Sequence, residues 1–137
     1  MVVVPADMAA TINSKEDIME LTVAVEAGSA GAQVAAELGL DATEVQTQAD
    51  AVMETAAGTA QACIIDSLMA AAMVGEGTSY ENLAYTIGLT DEEYVVGFRK
   101  GSDAAEKLNE FFKTTYDDGS MLSIAEKYGT QASIIAQ

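Results

Sequence analysis

The sequence has no histidine, one cysteine, one proline, and only six lysines and arginines among its 137 residues. Each shortage removes a class of function. Without histidine the chain lacks the commonest general base near neutral pH and the commonest transition-metal ligand. No metal site and no cofactor is expected. A single cysteine, Cys63, forbids an internal disulfide. It lies in the apolar run Ala62-Cys63-Ile64-Ile65 and reads as an inert core thiol. The six cations face 22 aspartates and glutamates, a formal charge of −16. So acidic a chain repels phosphate backbones and anionic membrane surfaces at long range, and nucleic acid is excluded as an expected partner. No apolar run approaches the length of a membrane span. The opening MVVVPADM carries no basic stretch ahead of an apolar core, so no secretory signal is read there. The expectation is a cytoplasmic location if the chain is complete as given. No internal repeat or low-complexity linker is visible.

Half of the residues are hydrophobic, which excludes disorder and suits one compact domain with a buried core. The stretch LTVAVEAGSAG, Leu21 to Gly31, organises the rest. Leu21-Thr22-Val23-Ala24-Val25 is β-branched and apolar, as a strand covered on both faces should be. Glu26-Ala27-Gly28-Ser29-Ala30-Gly31 then turns tightly, and Ala32 to Leu38 reads as a helix. A strand, a small-residue turn and a helix start leave backbone N–H groups aimed out of the carboxyl end of a sheet. Those donors and the helix dipole favour an anion, a carboxylate or phosphate, with Ser29 adding its hydroxyl. The bland alternative is that Gly28 and Gly31 only make the turn and let the helix pack closely.

In chain order, Val2-Val3-Val4 reads as a short strand ended by Pro5, and Ser14 caps a short helix through Met19. After the organising strand and helix, a brief strand is expected around Val45. Thr47 or Asp50 caps a helix ending near Gly58. Ala62 to Ile65 is a strand closing on Asp66, and Ser67 to Val74 a buried helix. Tyr85 to Leu89 and Tyr94 to Phe98 read as two further strands. From Leu21 to Val74 strands and helices alternate, the pattern of a parallel α/β sheet with right-handed crossovers. The last third changes character. Ser102 starts a helix with Ala105, Leu108, Phe111, Phe112 and Tyr116 at helical spacing, and Asp117-Asp118-Gly119 breaks it. Met121, Leu122, Ile124, Ala125 and Tyr128 mark a second amphipathic helix ended by Gly129.

Four phrases, INSKEDIMELTVAVEAGSAG, AQACIIDS, TDEEYVVGFRKGSDAAEKLN and YDDGSMLSIAEKYG, occur in an order that resembles bacterial solute-binding proteins for polar amino acids. These are the receptors of ABC uptake systems, with a periplasmic-binding-protein fold. The resemblance covers the second lobe and the C-terminal return segment. It implies an α/β fold, with a mostly parallel sheet flanked by helices and two C-terminal helices. It also implies three parts: 1–90 the lobe, 91–101 a return hinge strand, and 102–137 helices that would pack on a first lobe.

The resemblance further implies a site. Gly28, Ser29, Ala30 and Gly31 correspond to the turn that meets a ligand's α-carboxylate at a helix N-terminus. Asp66 falls where the family places the carboxylate for the α-ammonium; capping the Ser67 helix is the alternative, and the two roles are compatible. Glu26 sits where a side-chain-reading group projects, suiting a cationic ligand such as lysine or arginine; a solvated surface glutamate is the alternative. Glu92 and Glu93 read as solvent-facing, and Arg99-Lys100 as surface charge.

The family's first lobe is not among these residues, and with it go the arginine and the aromatics that complete the cleft. The expectation is a truncated receptor lobe, not an enzyme, that binds a polar or cationic amino acid weakly or not at all by itself. An ABC permease is the partner implied for the full-length ancestor, on the extracellular or periplasmic face of the membrane. The apolar stripe of the C-terminal helices predicts a homodimer, segment-swapped through Thr90 to Gly101 or formed otherwise; a monomer that folds these helices back onto its own sheet is the alternative. The alternative function is a non-enzymatic, self-associating interaction protein that keeps the lobe architecture without ligand binding.

Overall fold

The runs Val2-Val3-Val4, Thr22-Val23-Ala24-Val25-Glu26 and Ala62-Cys63-Ile64 alternate between two buried faces, so each needs a covering layer on both sides. The computed structural model, which describes residues 1–91 and 93–136, supplies both layers. The elements in chain order are β1 (Val2–Pro5), β2 (Thr22–Glu26), α1 (Ala30–Leu38), β3 (Asp41–Val45), α2 (Gln48–Ala57), β4 (Ala62–Ile64), α3 (Ser67–Met73), β5 (Leu83–Tyr85), α4 (Ala104–Asp117) and α5 (Ser120–Lys127). Short 3₁₀ turns lie at Ala9–Thr11, Lys15–Ile18 and Gln131–Ser133. The chain divides into two units, Met1–Asp91 and Glu92–Gln137. Among the described residues no helix is long and apolar enough to cross a membrane.

The first unit is one mixed sheet in the order β3-β2-β4-β1-β5. β2 pairs in parallel with β3 and β4, whereas β1 pairs antiparallel with β4 and β5. Four strands therefore share a direction and β1 alone opposes them. On one face, Val2, Val4, Val23, Val25 and Ile64 meet Val34 and Ala35 of α1. On the other, Val3, Ala24 and Cys63 meet Ala51 and Val52 of α2 and Ala70 of α3. Full burial of each valine or isoleucine contributes roughly 1.5–3 kcal/mol, and this two-sided valine core is the main source of the unit's stability.

Local signals set the helix ends. Thr47 and Asp50 form a reciprocal capping box at the start of α2, and Gly58 closes it in the left-handed conformation. Gly39 closes α1 the same way. Thr55, the one polar side chain in the buried core among the described residues, donates its hydroxyl to Ala51 O at 3.1 Å. Burial pushes the Cys63 thiol up to about 11, so it stays protonated.

Three expectations are corrected. The strand expected at Tyr85–Leu89 lies at Leu83–Tyr85, because its partner β1 is only four residues long. Beyond it only Thr86 N–H to Val2 O (2.8 Å) and Val2 N–H to Ile87 O (2.9 Å) continue the pairing. Tyr94 to Phe98 form no strand: β propensity needs a neighbouring strand, and Tyr94, Val95 and Val96 are exposed by 83%, 86% and 58%. α3 is not a buried helix, since Leu68 and Met69 are exposed and only its inner stripe touches the sheet. The short helix expected after Ser14 is present as a 3₁₀ helix, Lys15–Ile18, with Ser14 at its N-cap.

In the second unit, α4 and α5 form a hairpin whose turn is tightened by Ser120 N–H donating to Asp118 Oδ1 at 2.8 Å. Hydrogen bonding from the Ser120 hydroxyl and then its amide holds the Asp118 carboxyl below its usual range. Phe111 and Phe112 lie with ring centroids 6.2 Å apart. Exposed i,i+4 ion pairs join Lys107 to Asp103 and Lys113 to Asp117 and add little stability.

Candidate ligand site at the carboxyl ends of β2 and β4

β2 and β4 are adjacent and parallel, with Val25 level with Ile64. Past this level both chains leave the sheet, in opposite directions. β2 leads through Glu26-Ala27-Gly28-Ser29 into α1, which covers one face. β4 leads through Ile65-Asp66 into α3, which covers the other. Neighbouring strands whose helices part to opposite faces open a crevice between them, the position where α/β sheets hold ligands.

On the β2 side, the turn is built by backbone bonds. Ala27 N–H donates to Val45 O (2.9 Å) and Ser29 N–H to Glu26 O (3.1 Å), with Gly28 at φ +73°. Only glycine takes that conformation at little cost. Ser29 Oγ accepts from Ala32 N–H at 3.1 Å and so caps α1, leaving the hydroxyl proton as a donor. The amides of Ala30 and Gly31 have no acceptor among the described residues. Gly31 packs hard against β4: a Cβ there would stand 2.8 Å from Ile64 O and 3.2 Å from Ile64 Cγ2. Gly28 and Gly31 therefore do make the turn and the close packing, and that packing brings the two amides to the end of β4.

On the β4 side, Asp66 caps α3. Its Oδ1 accepts from Leu68 N–H at 2.8 Å and from Met69 N–H at 3.3 Å, and the residue is half-buried. Its own backbone N–H donates to Gln48 Oε1 at 2.8 Å. Glu26, the last residue of β2, is half-buried beside Val45 on the sheet face shared by Ala24. Gly28, Ser29, Ala30, Gly31, Glu26 and Asp66 are thus gathered at one end of two neighbouring strands. Gln48 is the residue that sequence reasoning missed. Its bond spans 18 positions and no local pattern announces it.

Elsewhere, Glu93, Arg99 and Lys100 are exposed, and Glu92 lies outside the described residues. Among the described residues no group of three or more histidines, cysteines, aspartates or glutamates is placed to hold a metal ion.

The geometry defines a class of protein: a two-sided α/β lobe with an anion-ready helix start and a carboxylate flanking one crevice. No family model and no curated protein matches the chain. Solved structures do, and they are binding proteins. One is a putative binding component of an ABC transporter from Wolinella succinogenes, complexed with lysine. It matches with 25% identity over 92% of this chain and 56% of that one, at a TM-score of 0.74. A mutant of ArgBP from T. maritima matches with 26% identity over 94% of this chain and 56% of that one, at 0.70. Domain 2 of TmArgBP matches by itself, with 25% identity over 66% of this chain and 97% of that domain, at 0.52. The fold is therefore that of one lobe of the periplasmic-binding-protein-like amino-acid-binding proteins, which are not enzymes. The chain spans a little over half the length of the two longer proteins.

Proposed function

We propose that the Met1–Asp91 unit is a lobe of an amino-acid-binding receptor of an ABC uptake system. The observation that supports this reading is that the amides of Ala30 and Gly31 and the Ser29 hydroxyl follow the end of β2, while Asp66 follows the end of the adjacent, parallel β4. The donors take the α-carboxylate and Asp66 takes the α-ammonium, so a zwitterion is held at both ends. Charge favours a cationic side chain. Residues 1–91 carry 14 aspartates and glutamates against one lysine, Lys15, a net charge of −13. Glu26 is the carboxylate nearest in the chain to the donor turn. The lysine held by the Wolinella protein supports the same preference. A single lobe encloses only part of a ligand, so capture by this chain alone is weak. An ABC permease is the partner of the complete receptor, which works on the extracellular or periplasmic side of the membrane.

The test is an NMR or calorimetric titration with lysine, arginine, glutamine and glutamate. The expected result is saturable binding, tightest for lysine or arginine, that is lost in Asp66→Asn, a change that keeps the helix cap and removes the charge. Binding unaltered in Asp66→Asn refutes the assignment.

A second reading, self-association, is favoured by the Glu92–Gln137 unit. Among its described residues only Ala125 is buried, while Phe111, Ile124 and Tyr128 are exposed by 59%, 61% and 70%. Phe111, Phe112, Met121, Ile124 and Ile134 line an apolar groove of about 260 Å³. A homodimer that covers this face is the proposed state in solution. A concentration-independent monomer mass by sedimentation excludes it.

A further inference from the structure

We propose that Gln48 is the positioning residue of the ammonium-binding pole, an inference that rests on the role given above to Asp66. In the β4 ladder successive N–H groups point alternately to the two neighbouring strands. Ile65 N–H is turned toward β1, donating to Met1 O at 3.0 Å, so Asp66 N–H faces the β2 side. There β2 has turned away, since the Glu26 carbonyl that would come next in the ladder accepts from Ser29 N–H at 3.1 Å. The ladder thus provides no backbone acceptor for Asp66 N–H. The side-chain oxygen of Gln48 fills that place at 2.8 Å.

Gln48 is itself rigidly held. It is the first residue of α2, inside the Thr47–Asp50 capping box. Ala51 and Val52, one turn further on the same stripe, are buried against the sheet. The bonds that hold Asp66 include Gln48 on its backbone N–H and the Leu68 and Met69 amides on its carboxylate. Without Gln48 the carboxylate bonds would survive, but the Asp66 N–H would lose its acceptor and the backbone that carries the carboxylate would lose one of its restraints. Gln48 therefore acts on the ligand through Asp66 and without needing to touch it.

Two measurements test this, in the whole chain. The first needs no ligand. Gln48→Met keeps the volume and removes the acceptor, so native-state hydrogen exchange at the Asp66 amide should quicken about tenfold or more, as loss of one hydrogen bond implies. Gln48→Glu keeps an acceptor and should restore protection. Unchanged exchange in Gln48→Met overturns the proposal. The second compares lysine with 6-aminohexanoate, which keeps the carboxylate and the distal amine but lacks the α-amine. Gln48→Met should weaken lysine about tenfold and leave 6-aminohexanoate unchanged. Equal weakening of both ligands, or of neither, overturns a role through Asp66. If lysine fails to bind the unaltered chain, or Asp66→Asn leaves its binding intact, the receptor reading falls instead. The exchange experiment then still decides the restraint.

Discussion

Replacing Gly31 with alanine sets two physical effects against each other, and their sizes predict the sign. Within a helix, alanine is favoured over glycine by about 1 kcal/mol, because glycine loses more backbone freedom on folding. Gly31 lies in α1 away from any left-handed conformation, so nothing in its backbone angles penalises a side chain. Space does. The added Cβ would stand 2.8 Å from the carbonyl oxygen of Ile64, 3.2 Å from Ile64 Cγ2 and 3.4 Å from Ser29 Oγ. The first is a backbone atom in the last residue of β4 and cannot rotate away. Overpacking of this kind costs about 1–3 kcal/mol, which exceeds the propensity gain across most of its range. The expected outcome of Gly31→Ala is a net destabilisation of about 1 kcal/mol, read as a lower urea midpoint at unchanged slope. The relief of the clash should lift the start of α1 from β4, so amino-acid binding should weaken as well. Gly28→Ala is the control. There φ is +73° and no atom lies within 4 Å of the added carbon, so its cost, roughly 1–2 kcal/mol, comes from the left-handed backbone alone. A Gly31→Ala protein as stable as the original, or more so, would refute the packing argument.

The remaining predictions concern pH. The Cys63 thiol is raised by burial from 9.0 to about 11, so the folded state favours its protonated form. The stability this lends is fully present below pH 9 and is lost as pH rises toward 11, up to about 3 kcal/mol. Urea midpoints measured across that window should fall, and Cys63→Ala should flatten the fall. In acid the sign reverses at Asp17. Its carboxylate accepts from Asn13 N–H, Ser14 N–H and the Ser14 hydroxyl, which hold it below its ordinary value of 3.8. That contribution is complete above pH 3.8 and disappears as pH drops through the lower folded value. Asp17→Asn should therefore lower stability at neutral pH and leave it unchanged in strong acid, by thermal unfolding.

The parallel half of the fold was legible because burial on both faces demands near-continuous valine, alanine and isoleucine, as in Thr22–Glu26 and Ala62–Ile64. The caps Ser29, Thr47 and Asp66 and the stops at Gly39 and Gly58 follow from local chemistry and stand where side-chain oxygens and left-handed glycines are needed. Edge strands were harder. Asp41–Val45 has four exposed residues, so the brief strand expected around Val45 was legible without its extent. The place of β1 was invisible, since nothing in Val2-Val3-Val4 says which strands it joins or in which direction. Tyr94 to Phe98 misled because aromatic and β-branched residues state a willingness to pair and not the presence of a partner. At the site, the donor turn was legible from its strand, small residues and helix start, Asp66 came through resemblance, and Gln48 required coordinates.

The lone reversed strand has a consequence for how the sheet comes into being. β1 is synthesised first, yet it lies between two strands drawn from residues 62–64 and 83–85. The βαβαβ segment from Thr22 to Ile64 can close on its own crossovers, but β5 joins it only through those first residues. Assembly must therefore wait for a long loop to close around an early segment, which slows the final step and makes the two halves of the sheet cooperative through four amino acids.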